Sequence, residues 1–104
     1  MRGEEIAFGP GRADILEYIG ATGSLRTAAE RMGISYMRAW QLVKTTNQSF
    51  REPLVEMARG GKSGGGAKLT ATGRVVLDSY RQMESQALSA IEKPWARMKR
   101  LLKI

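Results

Sequence analysis

The sequence predicts a mainly α fold with a small β-hairpin, arranged as a winged helix-turn-helix followed by a long C-terminal dimerisation helix. Three features carry that expectation. Two short capped helices joined by a glycine turn lie between Gly23 and Asn47, two strand-compatible runs flank a glycine-dense tip between Pro53 and Gly73, and an apolar three-four spacing continues from Val75 to Leu102. Residues 1–70 are expected to form the helix-turn-helix and wing, and residues 71–104 the linker and dimerisation helix.

At the N-terminus, Ile6 to Phe8 read as a short edge strand able to join the wing, and Gly9-Pro10-Gly11 as a chain break. Ile15, Leu16 and Ile19, with Tyr18 at the flank, form the apolar face of a first helix that Gly20 to Gly23 ends. Ser24 is placed to cap a second helix, because its hydroxyl can accept from an orphan first-turn amide. Leu25, Ala28, Ala29 and Met32 give that helix a narrow apolar face whose small central residues allow another helix to cross closely. Gly33 suits a left-handed helix end, and Ile34 plugs the turn into the core. Ser35 caps a third helix, in which Ala39, Leu42, Val43 and Thr46 face inward.

Tyr36, Arg38, Gln41, Lys44 and Thr45 are left for the outer face of that third helix. Such donors at successive turns suit base edges and phosphates in a major groove about 12 Å wide. Trp40 is expected to pack against the wing or the first helix rather than to make a contact. The bland alternative is a helical hairpin of a kind found in many small domains, and the following segment argues against it. Leu54 to Met57 and Ala67 to Leu69 read as strands of a hairpin whose Arg59, Lys62 and Lys68 would reach the phosphate backbone or the minor groove. A plain flexible linker is the alternative for the glycine tip. Gly61-Lys62-Ser63 fails as the tail of a phosphate-binding loop, since Glu56 stands where a glycine is needed and three more glycines follow Ser63. The candidate DNA-contact residues are therefore Ser24, Arg26, Thr27, Ser35, Tyr36, Arg38, Gln41, Lys44, Thr45, Arg59, Lys62 and Lys68.

Thr70 is the expected cap of the long helix, with Val75, Val76, Leu77, Tyr80, Met83, Ala87, Leu88 and Ile91 as its apolar positions. A small three-helix core cannot cover a seam that continues through Trp95, Met98 and Leu102, so a second copy is the expected cover. Tyr80, Met83, Ala87, Leu88, Ile91, Trp95, Met98 and Leu102 are the candidate dimerisation residues. Pro94 cannot donate to the carbonyl of Ala90, which predicts a kink or a break there. Arg97, Lys99, Arg100 and Lys103 make the tail basic as well as amphipathic, a pattern also compatible with an anionic membrane. The seam runs in phase with the preceding helix, which favours dimer packing.

Composition narrows the function further. A chain of 104 residues is one small domain, and its net charge of +7 favours a polyanionic partner. Across the reading head and wing, Arg26, Arg31, Arg38, Lys44, Arg51, Arg59, Lys62 and Lys68 face only Glu30, Glu52 and Glu56. With no cysteine and no histidine, the chain offers no disulfide framework, no thiolate metal site and no usual general base. No enzyme, cofactor, metal or small-molecule site is expected. No apolar run approaches the roughly 20 residues of a membrane span, and no signal-peptide core is evident, so a soluble, intracellular protein is expected.

On these residues the chain resembles the N-terminal DNA-binding domain of ModE-type molybdate-responsive transcription regulators, relatives of the LysR-type winged helix. The resemblance runs from about Ile15 to Tyr80. Its specific pieces are Gly33-Ile34-Ser35-Tyr36, Ala39-Trp40, Asn47, Leu54-Val55-Glu56, Gly60-Gly61-Lys62, Gly64-Gly65-Gly66-Ala67, and Leu69-Thr70 with Gly73. It implies a homodimer on a palindromic operator, with Tyr36, Arg38 and Gln41 near the bases and the wing lysines on the backbone. Family members carry oxyanion-binding domains after the linker helix. This chain ends at Ile104, so molybdate sensing is not expected to transfer. A non-specific architectural DNA binder and a winged-helix protein-interaction module remain as alternative readings.

Overall fold

The computed structural model describes residues 8–58 and 66–103. In chain order the elements are α1 (Pro10–Thr22), α2 (Leu25–Met32), α3 (Tyr36–Ser49), β1 (Val55–Met57), β2 (Ala67–Leu69) and α4 (Ala71–Lys99). Ile6 and Ala7, expected in an edge strand, lie outside the described residues. Phe8 is not in a strand. Its ring packs edge-on against Tyr80 and Phe50, with centroids 5.2 and 6.1 Å away. Pro10 does not break the chain either, because it opens α1, where the missing N–H would have no helical partner and the fixed φ is already helical.

Ile15, Leu16 and Ile19 of α1 are fully buried, together with Leu25 and Ala28 of α2 and Ala39 of α3. Ala28 and Ala29 of α2 lie in the same buried cluster as residues of α1 and α3, and such small side chains let helix backbones approach. α1 ends at Gly23, whose φ of 71° is the left-handed conformation that a side chain disfavours, and its N–H donates to the Ile19 carbonyl at 2.8 Å.

β1 and β2 pair antiparallel, with Val55 opposite Leu69, Glu56 opposite Lys68 and Met57 opposite Ala67. The hairpin is tied to the helices at both edges. The Ala67 amide donates to the Gly23 carbonyl at 3.1 Å, beside an isolated bridge between Ser24 and Gly66. On the other side, Asn47 of α3 accepts from the amides of Leu54 (2.8 Å) and Val55 (3.1 Å) through Oδ1 and donates through Nδ2 to the Val55 carbonyl (3.0 Å). An amide side chain that satisfies three backbone groups fixes the wing relative to α3.

The root of α4 is equally constrained. Thr70 accepts from the Gly73 amide at 2.9 Å and donates its hydroxyl to the Pro53 carbonyl at 2.8 Å, while its own amide donates to the Leu54 carbonyl at 3.0 Å. A Cβ at Gly73 would stand 2.2 Å from the Leu54 carbonyl oxygen, so this glycine permits the helix to lie directly on the chain. One turn later Leu77 is buried. Arg81 then joins α4 to α1, donating to Asp14 at 2.9 Å and Glu17 at 2.7 Å, and to Glu84 of its own helix at 2.9 Å. The hydrogen bond to Asp14, followed by that to Glu84, raises the guanidinium pKa above its usual value. Partial desolvation opposes the shift, and Glu17 adds to it.

α4 runs unbroken through Pro94, so the proline does not end the helix. Tyr80, expected at the dimer seam, is half-buried in its own domain, where it packs on Phe8 because α4 still overlies α1 at that level. The exposed stripe therefore starts at Met83.

Candidate nucleic-acid interface

The reading head is built from two caps and a glycine. Ser24 accepts from the Thr27 amide and Ser35 from the Arg38 amide, both at 3.0 Å, and each such cap stabilises a helix start by about 1 kcal/mol. Gly33, at φ 71°, turns the chain between α2 and α3, and the Ile34 amide donates to the Ala29 carbonyl at 3.0 Å. The turn points α3 outward while Ala39, Val43 and Thr46 anchor its inner face.

Arg38, Gln41, Lys44 and Thr45 are exposed, as the spacing predicts. Tyr36 is different. It is half-buried against the core, with the Arg26 guanidinium 5.2 Å from its ring centroid, so the two side chains link the starts of α2 and α3. Trp40 reverses the sequence expectation. It is 40% exposed and absent from the core, and the Lys44 ammonium lies 5.2 Å from its ring centroid. Met37, one turn before, is 63% exposed. The outer stripe of α3 thus runs through Met37, Trp40, Gln41 and Lys44, because the buried Ala39, Val43 and Thr46 set which way the helix is rotated.

Ser24, Thr27 and Ser35 stand at the helix starts, where the two serine oxygens and the Thr27 amide are engaged in capping. Lys68 is exposed on β2, opposite Glu56. Arg59 and Lys62 fall outside the described residues. The residue that sequence reasoning missed is Arg12. From α1 its Nη1 reaches the Leu42 carbonyl (3.1 Å), Thr45 Oγ1 (2.8 Å) and Thr46 Oγ1. No periodicity could reveal a contact that spans 30 to 34 residues. Among the described residues no group of three His, Cys, Asp or Glu side chains could hold a metal ion, and no helix is long and apolar enough to cross a membrane.

A three-helix core, a capped outward helix and a hairpin tied to it define a winged helix-turn-helix domain. Residues 12–74 match the family described as bacterial regulatory helix-turn-helix protein, lysR family, and the chain belongs to that family. It is 41% identical over 89 residues to the molybdenum-pterin-binding protein MopB of Rhodobacter capsulatus, covering 83% of this chain and 33% of that protein. It is 42% identical over 77 residues to the DNA-binding transcriptional dual regulator ModE of Escherichia coli K12, covering 74% and 29%. These similarities support a helix-turn-helix domain of the ModE N-terminal type. The chain spans about a third of the length of these relatives. The fold is shared with full-length LysG of Corynebacterium glutamicum, solved with bound effector Arg, at a TM-score of 0.66 and 24% identity over 90% of this chain and 30% of that one. ArgP of Mycobacterium tuberculosis gives a TM-score of 0.58 at 24% identity, over 84% and 32%. The family is one of regulators rather than enzymes.

Proposed function

We propose that this protein is a sequence-specific DNA-binding transcriptional regulator that binds a palindromic operator as a homodimer in the bacterial cytoplasm. The reading is carried by one observation. α3 has its inner face locked in the core and by Asn47, and it presents exposed Arg38, Gln41 and Lys44 along the other face. A helix held this rigidly can enter a major groove without a large ordering cost, and its side chains match base-edge and phosphate chemistry. Lys68 on the wing, and Arg59 and Lys62 from the glycine-rich segment, would grip the backbone beside it.

The dimer is supported by the exposed apolar stripe of Met83, Leu88, Ile91, Trp95, Met98 and Leu102, each between 46% and 62% exposed in the single chain, with Ala87 between them. Pairing two such helices would set two reading heads about one helical turn of DNA, roughly 34 Å, or a multiple apart.

The test is selection of genomic fragments by the protein at two salt concentrations. An enriched inverted repeat with steep salt dependence is the expected result. Arg38→Ala and Gln41→Ala should relax the preference at particular positions, whereas Lys68→Glu should weaken all duplexes alike. Recovery of fragments without any enriched motif would overturn sequence-specific reading.

A further inference from the structure

We infer that Arg12 is a phosphate-contact residue of the reading head, forming with Lys44 a seat for a backbone phosphodiester beside α3. The assignment rests on the proposal that α3 faces DNA.

Arg12 is half-buried, and its Nη1 is shared among the Leu42 carbonyl and the Thr45 and Thr46 hydroxyls. All three acceptors are uncharged. The tether therefore fixes where the guanidinium stands without neutralising it. Arg81, at the other junction of α1, shows the contrast, since its described partners are the carboxylates of Asp14, Glu17 and Glu84. That site is electrostatically complete, while the Arg12 site carries a fixed cation whose partial burial has a cost until an anion arrives.

Its surroundings suit an anion. Arg12 lines a shallow concavity with Arg38, Trp40, Gln41, Lys44 and Gln48, and no lining residue is acidic. Guanidinium carries five N–H donors in a planar fork. The described bonds of Arg12 all leave from Nη1, so the donors on Nη2 and Nε remain for a phosphate, which such a fork can engage through two oxygens. The same bonds run to the third turn of α3, so an anion held here would also fix the depth and register of the reading helix.

The experiment measures binding of an operator duplex and a scrambled duplex over a salt series, using the whole chain and its Arg12→Gln and Arg12→Lys variants. Arg12→Gln is expected to weaken both duplexes by the same factor and to reduce the slope of log K against log salt by about one. Arg12→Lys should keep the slope and lose part of the affinity. An unchanged slope in a folded Arg12→Gln protein would overturn the assignment and leave Arg12 as a brace for α3. Should Arg12→Gln fail to fold, the wild-type protein decides the matter through the NMR signal of the Arg12 Nε–H. That signal should shift on duplex addition while that of Arg81 does not, and a stationary Arg12 signal overturns the assignment. Absence of any salt-dependent duplex binding by the wild type would instead overturn the DNA reading of α3, and this assignment with it.

Discussion

The two halves of α4 belong to one continuous helix, yet they obey different rules. Near its start, Gly73 lies against the Leu54 carbonyl, Leu77 is buried, and Arg81 is bound by carboxylates of α1. Past Met83, Leu88 and Ile91 are more than half exposed and Trp95 nearly so. The same apolar spacing runs through both. What differs is whether the chain has another surface to set against it. A helix of 29 residues is about 43 Å long, beyond the reach of a core formed by three short helices. Intramolecular packing therefore decides the first half, and the second is left for another surface.

The largest effect should come from the closest contact. Gly73→Val would place a branched side chain where even a Cβ meets a backbone oxygen at 2.2 Å, and backbone cannot yield as a flexible side chain does. The expected outcome is loss of the cooperative thermal transition in circular dichroism. Leu77→Ala, which empties a buried position, should reduce stability by about 3 kcal/mol and lower the melting temperature by over ten degrees. A loss under about 1 kcal/mol would mean that the first half of α4 is docked more loosely than its burial indicates.

In the outer half, Ile91→Asp should leave the fold of residues 8–58 and 66–80 intact and shift sedimentation from dimer toward monomer at micromolar concentration. A wild-type chain that sediments as a monomer at that concentration would remove the distinction on which the dimer proposal rests. The smallest effect belongs to Arg81→Ala. Its ion pairs are partly exposed, so the network should contribute about 1 kcal/mol, declining with added salt. Denaturant melts at low and high salt would check this.

Several elements were legible without coordinates because their causes are local. Ser24, Ser35 and Thr70 each cap a helix as their hydroxyls predict, since capping joins groups three residues apart. Gly33 takes the left-handed turn for the same reason of short range. The strands at Val55–Met57 and Ala67–Leu69 follow from β-compatible residues beside a glycine-rich tip. The candidate site was legible in part. The exposure of Arg38, Gln41 and Lys44 follows from helical periodicity once Ala39 and Val43 are assigned inward. Trp40 was misread because hydrophobicity is only a tendency toward burial, and the register of α3 turns this indole outward.

By itself, then, the sequence determined the caps, the turns, the strand pair and the apolar periods, all of which depend on neighbours within a few positions. Only the tertiary structure decided that Asn47 would bind the wing, that Arg12 would reach across to Thr46, that Tyr80 would turn toward Phe8, and that Gly73 would lie against Leu54. The physical reason is that each of these contacts joins groups brought together by helix packing, where the identity of the partner depends on crossing geometry that no local spacing encodes.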